Sequence, residues 1–290
     1  MAFGRLVTAM VTPFDQDLNI DLAQTEKLVE HLIATGTEAI VVAGTTGESP
    51  TLTTEEKLLL FEKVVEYAAG RVKVIAGTGT NSTKSTIALT KKAEELGVDG
   101  AMLVAPYYNK PSQEGLYQHF DAVAKETRLP LMIYNIPGRT GINIQAATMI
   151  KLSTIPNIVA VKEASGDLTQ MGEIIANTSD HFYLYSGDDK LTLPVLAIGG
   201  YGIVSVASHT VGLKMQEMIQ NYLNGNVKDA SKLHLSLAPF FEAIFVTSNP
   251  VPIKDVLNKM GLGVGSVRLP LVPATDEQSK FVNQAYNALR

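Results

Sequence analysis

The chain alternates. Eight short runs rich in β-branched and apolar residues begin near Arg5, Glu38, Lys73, Gly100, Leu131, Ile158, Phe182 and Gly202, with stretches of helical pattern between them. Helices are predicted over residues 22–34, 54–69, 83–96 and 113–125. Start signals support them: Thr53 or Thr54 precedes acidic Glu55 and Glu56, and Ser112 precedes Glu114. Gly36, Gly70 and Gly97 follow as stop signals. Strands that alternate with helices pair in parallel, and near-continuous apolar strands are buried on both faces. Eight such units close into a (β/α)8 TIM barrel. An open doubly wound sheet is the alternative, but no Gly-x-Gly-x-x-Gly follows the first strand, which argues against a dinucleotide site.

A barrel of this kind takes about 200–250 residues, and the chain has 290. After about Gly225 the strand signal stops. Residues 228–247, 252–260 and 275–289 read as helices, separated by Asn249-Pro-Val-Pro252 and a loop from Gly261 to Pro270. The expected organisation is a catalytic barrel over residues 1–225 and a C-terminal helical domain over 226–290, packed on the barrel or on a neighbouring subunit.

Composition excludes several chemistries. There are no cysteines, hence no disulfide, no thiolate metal site and no cysteine nucleophile. The five histidines show no ligand spacing, so no metal is expected. A net charge of -5 without a basic run argues against a nucleic-acid partner. The N-terminus lacks a signal-peptide pattern and no run reaches about 18 apolar residues, so a cytoplasmic protein without a membrane span is expected.

Barrel active sites lie at the C-terminal ends of the strands. Those ends carry hydroxyls, glycines, one lysine and one arginine. Lys162 stands late in Ile158-Val-Ala-Val-Lys-Glu-Ala164, and Tyr134 late in the preceding strand, Leu131-Met-Ile-Tyr-Asn-Ile-Pro137. An unpaired ammonium in a strand interior costs several kcal/mol, so such a lysine either snorkels to a rim acid or works as a neutral amine. A free lysine has a pKa of about 10.4 and is neutral at pH 7 in fewer than about one molecule in a thousand. A neutral lysine is what Schiff-base chemistry on a carbonyl requires. With Tyr134 alongside and no other nucleophile at the strand ends, the catalytic reading is favoured. Gly44-Thr45-Thr46-Gly47 suits a carboxylate, although a tight strand-to-helix turn would read the same. Arg139 is placed either to grip a carboxylate or to form a surface ion pair. Asp188-Asp189 reads as a helix N-cap rather than a metal site.

Gly44-Thr-Thr-Gly-Glu-Ser49, Pro106-Tyr-Tyr-Asn-Lys-Pro111, Tyr134-Asn-Ile-Pro137, Val161-Lys-Glu-Ala164 and Ser186-Gly-Asp-Asp189 occur in order. Together they resemble the pyruvate-dependent class I aldolase superfamily and, within it, the dihydrodipicolinate synthase family. The resemblance extends through Asn249-Pro-Val-Pro-Ile-Lys254 and Arg268-Leu-Pro-Leu271. It implies a Schiff base between Lys162 and pyruvate, with Tyr134 relaying protons and Thr45 linking it to Tyr108 of a partner subunit. Thr46, Gly187 and the backbone at Val204 would hold pyruvate, and Arg139 the carboxylate of L-aspartate 4-semialdehyde. No metal or organic cofactor is implied. A homo-oligomer is, either a dimer or a tetramer built as a dimer of dimers. Sister aldolases acting on N-acetylneuraminate or keto-deoxy sugar acids share the lysine and tyrosine but typically lack the arginine. A non-catalytic binding barrel would have no use for the amine–phenol pair. Feedback-inhibited relatives bind lysine near residues matching Ser49, Asn81 and Tyr107. This chain has Thr54, Lys57 and Ser85 where those relatives commonly carry His, His and Glu, so inhibition is expected to be weak or absent.

Overall fold

A computed structural model describes residues 3–289. Eight strands form one closed, all-parallel barrel in chain order: β1 (Leu6–Ala9), β2 (Ala39–Val42), β3 (Lys73–Gly77), β4 (Gly100–Val104), β5 (Leu131–Asn135), β6 (Ile158–Glu163), β7 (Tyr183–Ser186) and β8 (Gly202–Ser205). β8 closes on β1 with Val204 opposite Val7. The helices between them are α1 (Leu22–Ala34), α2 (Thr54–Ala68), α3 (Thr83–Glu95), α4 (Gln113–Lys125), α5 (Pro137–Thr140), α6 (Ala146–Leu152), α7 (Leu168–Ala176) and α8 (Thr192–Ala197), and α9 (Ser208–Leu223) follows β8. The predicted TIM barrel is the observed fold. Thr53, not Thr54, caps α2, through a capping box with Glu56.

Two apolar clusters make the core, and strand periodicity separates them. One fills the barrel and takes alternate residues: Val7 and Ala9, Ala39 and Val41, Met132 and Tyr134, with Ala160, Tyr185 and Val204. The other, far larger, lies between the barrel and its helices. Alternation from Ala160 puts Lys162 on the interior face of β6 and turns Glu163 outward. There Glu163 accepts hydrogen bonds from Asn135 Nδ2, Gln170 Nε2 and the Ser165 N–H.

Three more helices follow: α10 (Val227–Ala243), α11 (Val251–Lys259) and α12 (Asp276–Asn287). The pattern predicted α10 to reach Thr247, but it stops earlier. Beyond Ile244 the N–H groups of Phe245 and Val246 reach back only three residues, to Glu242 and Ala243, so the last turn tightens out of α geometry. Arg268, past α11, locks this appendage to the barrel. Its guanidinium donates to the carbonyls of Leu18 and Thr51 and pairs with Glu56. Among the described residues no helix is long and apolar enough to cross a membrane.

Candidate active site

β5 and β6 are hydrogen-bonded neighbours, and the register sets Tyr134 directly beside Lys162. Both point into the barrel, and both are buried. The Lys162 Nζ lies 4.1 Å from the centre of the Tyr134 ring. On the other side the register places Tyr185 of β7 beside Lys162. The Tyr185 hydroxyl, however, accepts the Phe3 N–H at 3.1 Å, so it is occupied by the N-terminal segment. Of the two flanking phenols, Tyr134 is the one that also lines a cavity beside the amine.

Burial pushes the Lys162 amine down to about 7, with the Asp189 carboxylate opposing that shift and Arg139 adding to it. The group is therefore about half neutral at pH 7. Burial pushes Tyr134 up to about 12, against the pull of Arg139 and the Thr45 hydroxyl, so the phenol keeps its proton. A partly neutral amine beside a protonated phenol is an arrangement for nucleophilic attack with proton transfer. Gly187 makes room for it: a Cβ there would sit 2.7 Å from the Ala164 Cβ and 3.2 Å from the Lys162 Cε.

A cavity of about 290 Å³ opens beside the pair. Gly44, Thr45, Tyr134 and Arg139 line it, together with Ser49, Lys57 and Tyr107. Lys162 does not line the cavity itself; its amine lies against the ring of Tyr134, which does. Thr46 is buried, and its hydroxyl accepts a hydrogen bond from Asn249 Nδ2 at 2.9 Å. Val204 is buried inside the barrel on β8. Arg139 is exposed on the four-residue α5. Lys162, Tyr134, Thr45, Thr46, Arg139, Val204 and Gly187 thus gather at one end of the barrel, but Tyr108 does not join them. Its side chain is 89 % exposed, away from the cavity that the adjacent Tyr107 lines. Its φ of +74° is a strained conformation for a tyrosine, on a loop fixed by the Asn109 side chain bonding the Asn81 carbonyl.

Several contributors were not legible as such. Asp188 caps the turn at Lys190, as expected of an N-cap. Asp189 does something else. It is buried and accepts from Ser205 Oγ at 2.5 Å and from the N–H groups of Val206 and Ala207 at 3.1 Å, fixing the end of β8. Burial raises it to about 6. His209, the one histidine near the strand ends, is structural. Its ring accepts the Val11 N–H and donates to the Val206 carbonyl, and burial pushes it down to about 4. Glu48 and Lys254 form a fully buried ion pair at 2.8 Å, although they are 206 positions apart. Among the described residues no cluster of three or more His, Asp or Glu is placed to hold a metal.

Comparison with known proteins agrees with this geometry. The model of the dihydrodipicolinate synthetase family matches residues 2–289. The 4-hydroxy-tetrahydrodipicolinate synthase of Bacillus subtilis is 58% identical over 290 residues, covering 100% of both chains. The crystal structure of a dihydrodipicolinate synthase from Bacillus anthracis superposes with a TM-score of 0.97 at 56% identity, covering 99% of this chain and 98% of that one. A lysine-bound synthase structure from Cyanidioschyzon merolae gives 0.97 at 50% identity, with the same coverage. From its strand ends to its appended helices, the chain belongs to the dihydrodipicolinate synthetase family.

Proposed function

We propose that the chain condenses pyruvate with L-aspartate 4-semialdehyde to give 4-hydroxy-tetrahydrodipicolinate, the first committed step towards diaminopimelate and lysine. The neutral Lys162 amine attacks the pyruvate ketone, and water leaves as the imine forms. Loss of a methyl proton gives an enamine whose terminal carbon bonds to the aldehyde of the second substrate. The amino group of that substrate then attacks the imine carbon, releasing Lys162 as the ring closes. Tyr134 carries protons in these steps, assisted by Thr45 and by Tyr108 of a second copy of the chain. Thr46, Gly187 and the backbone at Val204 hold pyruvate, while Arg139 holds the carboxylate of the second substrate. The covalent amine supplies the activation that a metal or organic cofactor would otherwise provide. The barrel, residues 1–225, carries the chemistry, and residues 226–290 support it. With Lys57 and Ser85 at the positions named above, L-lysine binds weakly.

The observation that carries this reading is the register pairing of Tyr134 with Lys162, buried together inside the barrel. The test is to incubate the protein with pyruvate and borohydride and to map the adduct by mass spectrometry. One reduced adduct on Lys162 is expected. Labelling elsewhere, or none, would overturn the reading.

A further inference from the structure

Thr46 sits in a segment held from both sides. On one side the Gly47 carbonyl accepts the Thr12 hydroxyl at 2.7 Å. On the other the Glu48 carboxylate accepts from Lys254 Nζ at 2.8 Å and from the Arg268 N–H at 2.9 Å. The backbone of the turn is therefore fixed, and what remains to be set is the Thr46 hydroxyl. Asn249, from the segment joining α10 to α11, reaches it. The pair is buried, and 203 positions separate its members.

A hydroxyl that accepts one hydrogen bond still has its own hydrogen to donate. The Thr46 hydroxyl accepts from Asn249 and keeps its own hydrogen for another partner, while the Asn249 Oδ1 is buried with no donor. Polar groups left incomplete inside a protein are rare and mark a place that a ligand or water completes. An amide donor behind the threonine oxygen also polarises the hydroxyl towards donation.

We propose that Asn249 is a positioning residue, supplied by the appended helices, that turns the Thr46 hydroxyl outward as a donor to the pyruvate carboxylate. The inference rests on the function proposed above. It predicts a specific defect, weaker binding of pyruvate, and not slower attack by Lys162.

The experiment compares wild type, Asn249→Ala, Asn249→Asp, Thr46→Val and the double variant Thr46→Val/Asn249→Ala. The readouts are the pyruvate concentration giving half-maximal borohydride trapping, the maximal trapping rate and the thermal midpoint. A hydrogen bond to a charged group suggests that Asn249→Ala raises the half-saturating pyruvate about tenfold, with little change in maximal rate. Asn249→Asp keeps the shape but can only accept, so it captures the Thr46 hydrogen and should weaken pyruvate at least as much. In the Thr46→Val background, Asn249→Ala should add nothing, because the group it orients is gone. Unchanged half-saturation in Asn249→Asp, or independent effects that multiply in the double variant, would overturn the proposal. So would losses confined to maximal rate or tracking the thermal midpoint. If wild type traps no pyruvate at all, the function itself fails and this role falls with it. If wild type traps normally and the variants match it, the orienting role alone fails.

Discussion

At Lys162, burial and the Asp189 carboxylate act in opposite directions, and burial wins. The amine ends near 7 instead of the ordinary lysine value, despite the Asp189 carboxylate. Its proton is thus lost more readily in the folded than in the unfolded chain. Between about 7 and about 10.4 the folded state holds fewer protons, so this group makes stability rise with pH across that window, and its full penalty applies below it. Imine trapping should follow the same titration. Its rate should rise through an inflection near 7 and level off before the ordinary lysine range, since Tyr134 stays protonated until about 12. A trapping rate that climbs steadily to pH 10 would show an unperturbed lysine instead. Arg139 obeys different physics, being exposed on α5 at the edge of the cavity. Arg139→Ala should lower kcat/KM for aspartate semialdehyde by about ten- to a hundredfold, the range for a charge-assisted hydrogen bond. Trapping of pyruvate should be spared. Equal loss of both would mean that Arg139 does not discriminate between the substrates.

At the scale of elements, the buried Glu48–Lys254 pair joins the turn after β2 to α11, with the Lys254 Nζ also donating to the Ser266 carbonyl at 2.6 Å. Removing one member leaves the other charge buried alone. Lys254→Met or Glu48→Gln should therefore destabilise by about 3–5 kcal/mol, while the pair Glu48→Gln/Lys254→Met should recover much of that. Denaturation midpoints check this, and additive losses would show that the two residues are not coupled. This pair also shows the limit of the sequence. The strands were legible, because continuous apolar runs and helix caps are local signals. Lys162 and Tyr134 could be paired from strand order alone. Glu48 and Lys254 could not, since nothing local tells a charged residue at a turn or helix start from one on a solvated face. Asp189 looked like a cap for the same reason: its partners at and just past the end of β8 lie 16 to 18 positions away.

At the scale of the whole molecule, Tyr107 and Tyr108 face different surroundings: Tyr107 lines the cavity and Tyr108 does not. Tyr108 is held in a strained backbone and almost wholly exposed, which suits a side chain that a second copy receives. Mixing Tyr108→Phe with Lys162→Ala subunits, each inactive alone, should restore part of the activity after subunit exchange. No recovery after verified exchange would leave the tyrosine to its own rim. The closure of β8 on β1 has a separate consequence, for misassembly. Among the described residues every barrel strand has a partner on both sides, leaving no unpaired ladder there on which another strand could template itself. Fibril growth by strand addition must then begin from chains whose barrel has opened, for example along the β8–β1 seam, beside which Thr8–Ser208 and Val11–His209 hydrogen bonds tie the β1 segment to the start of α9. Resistance to such growth depends on how tightly that last seam is fastened.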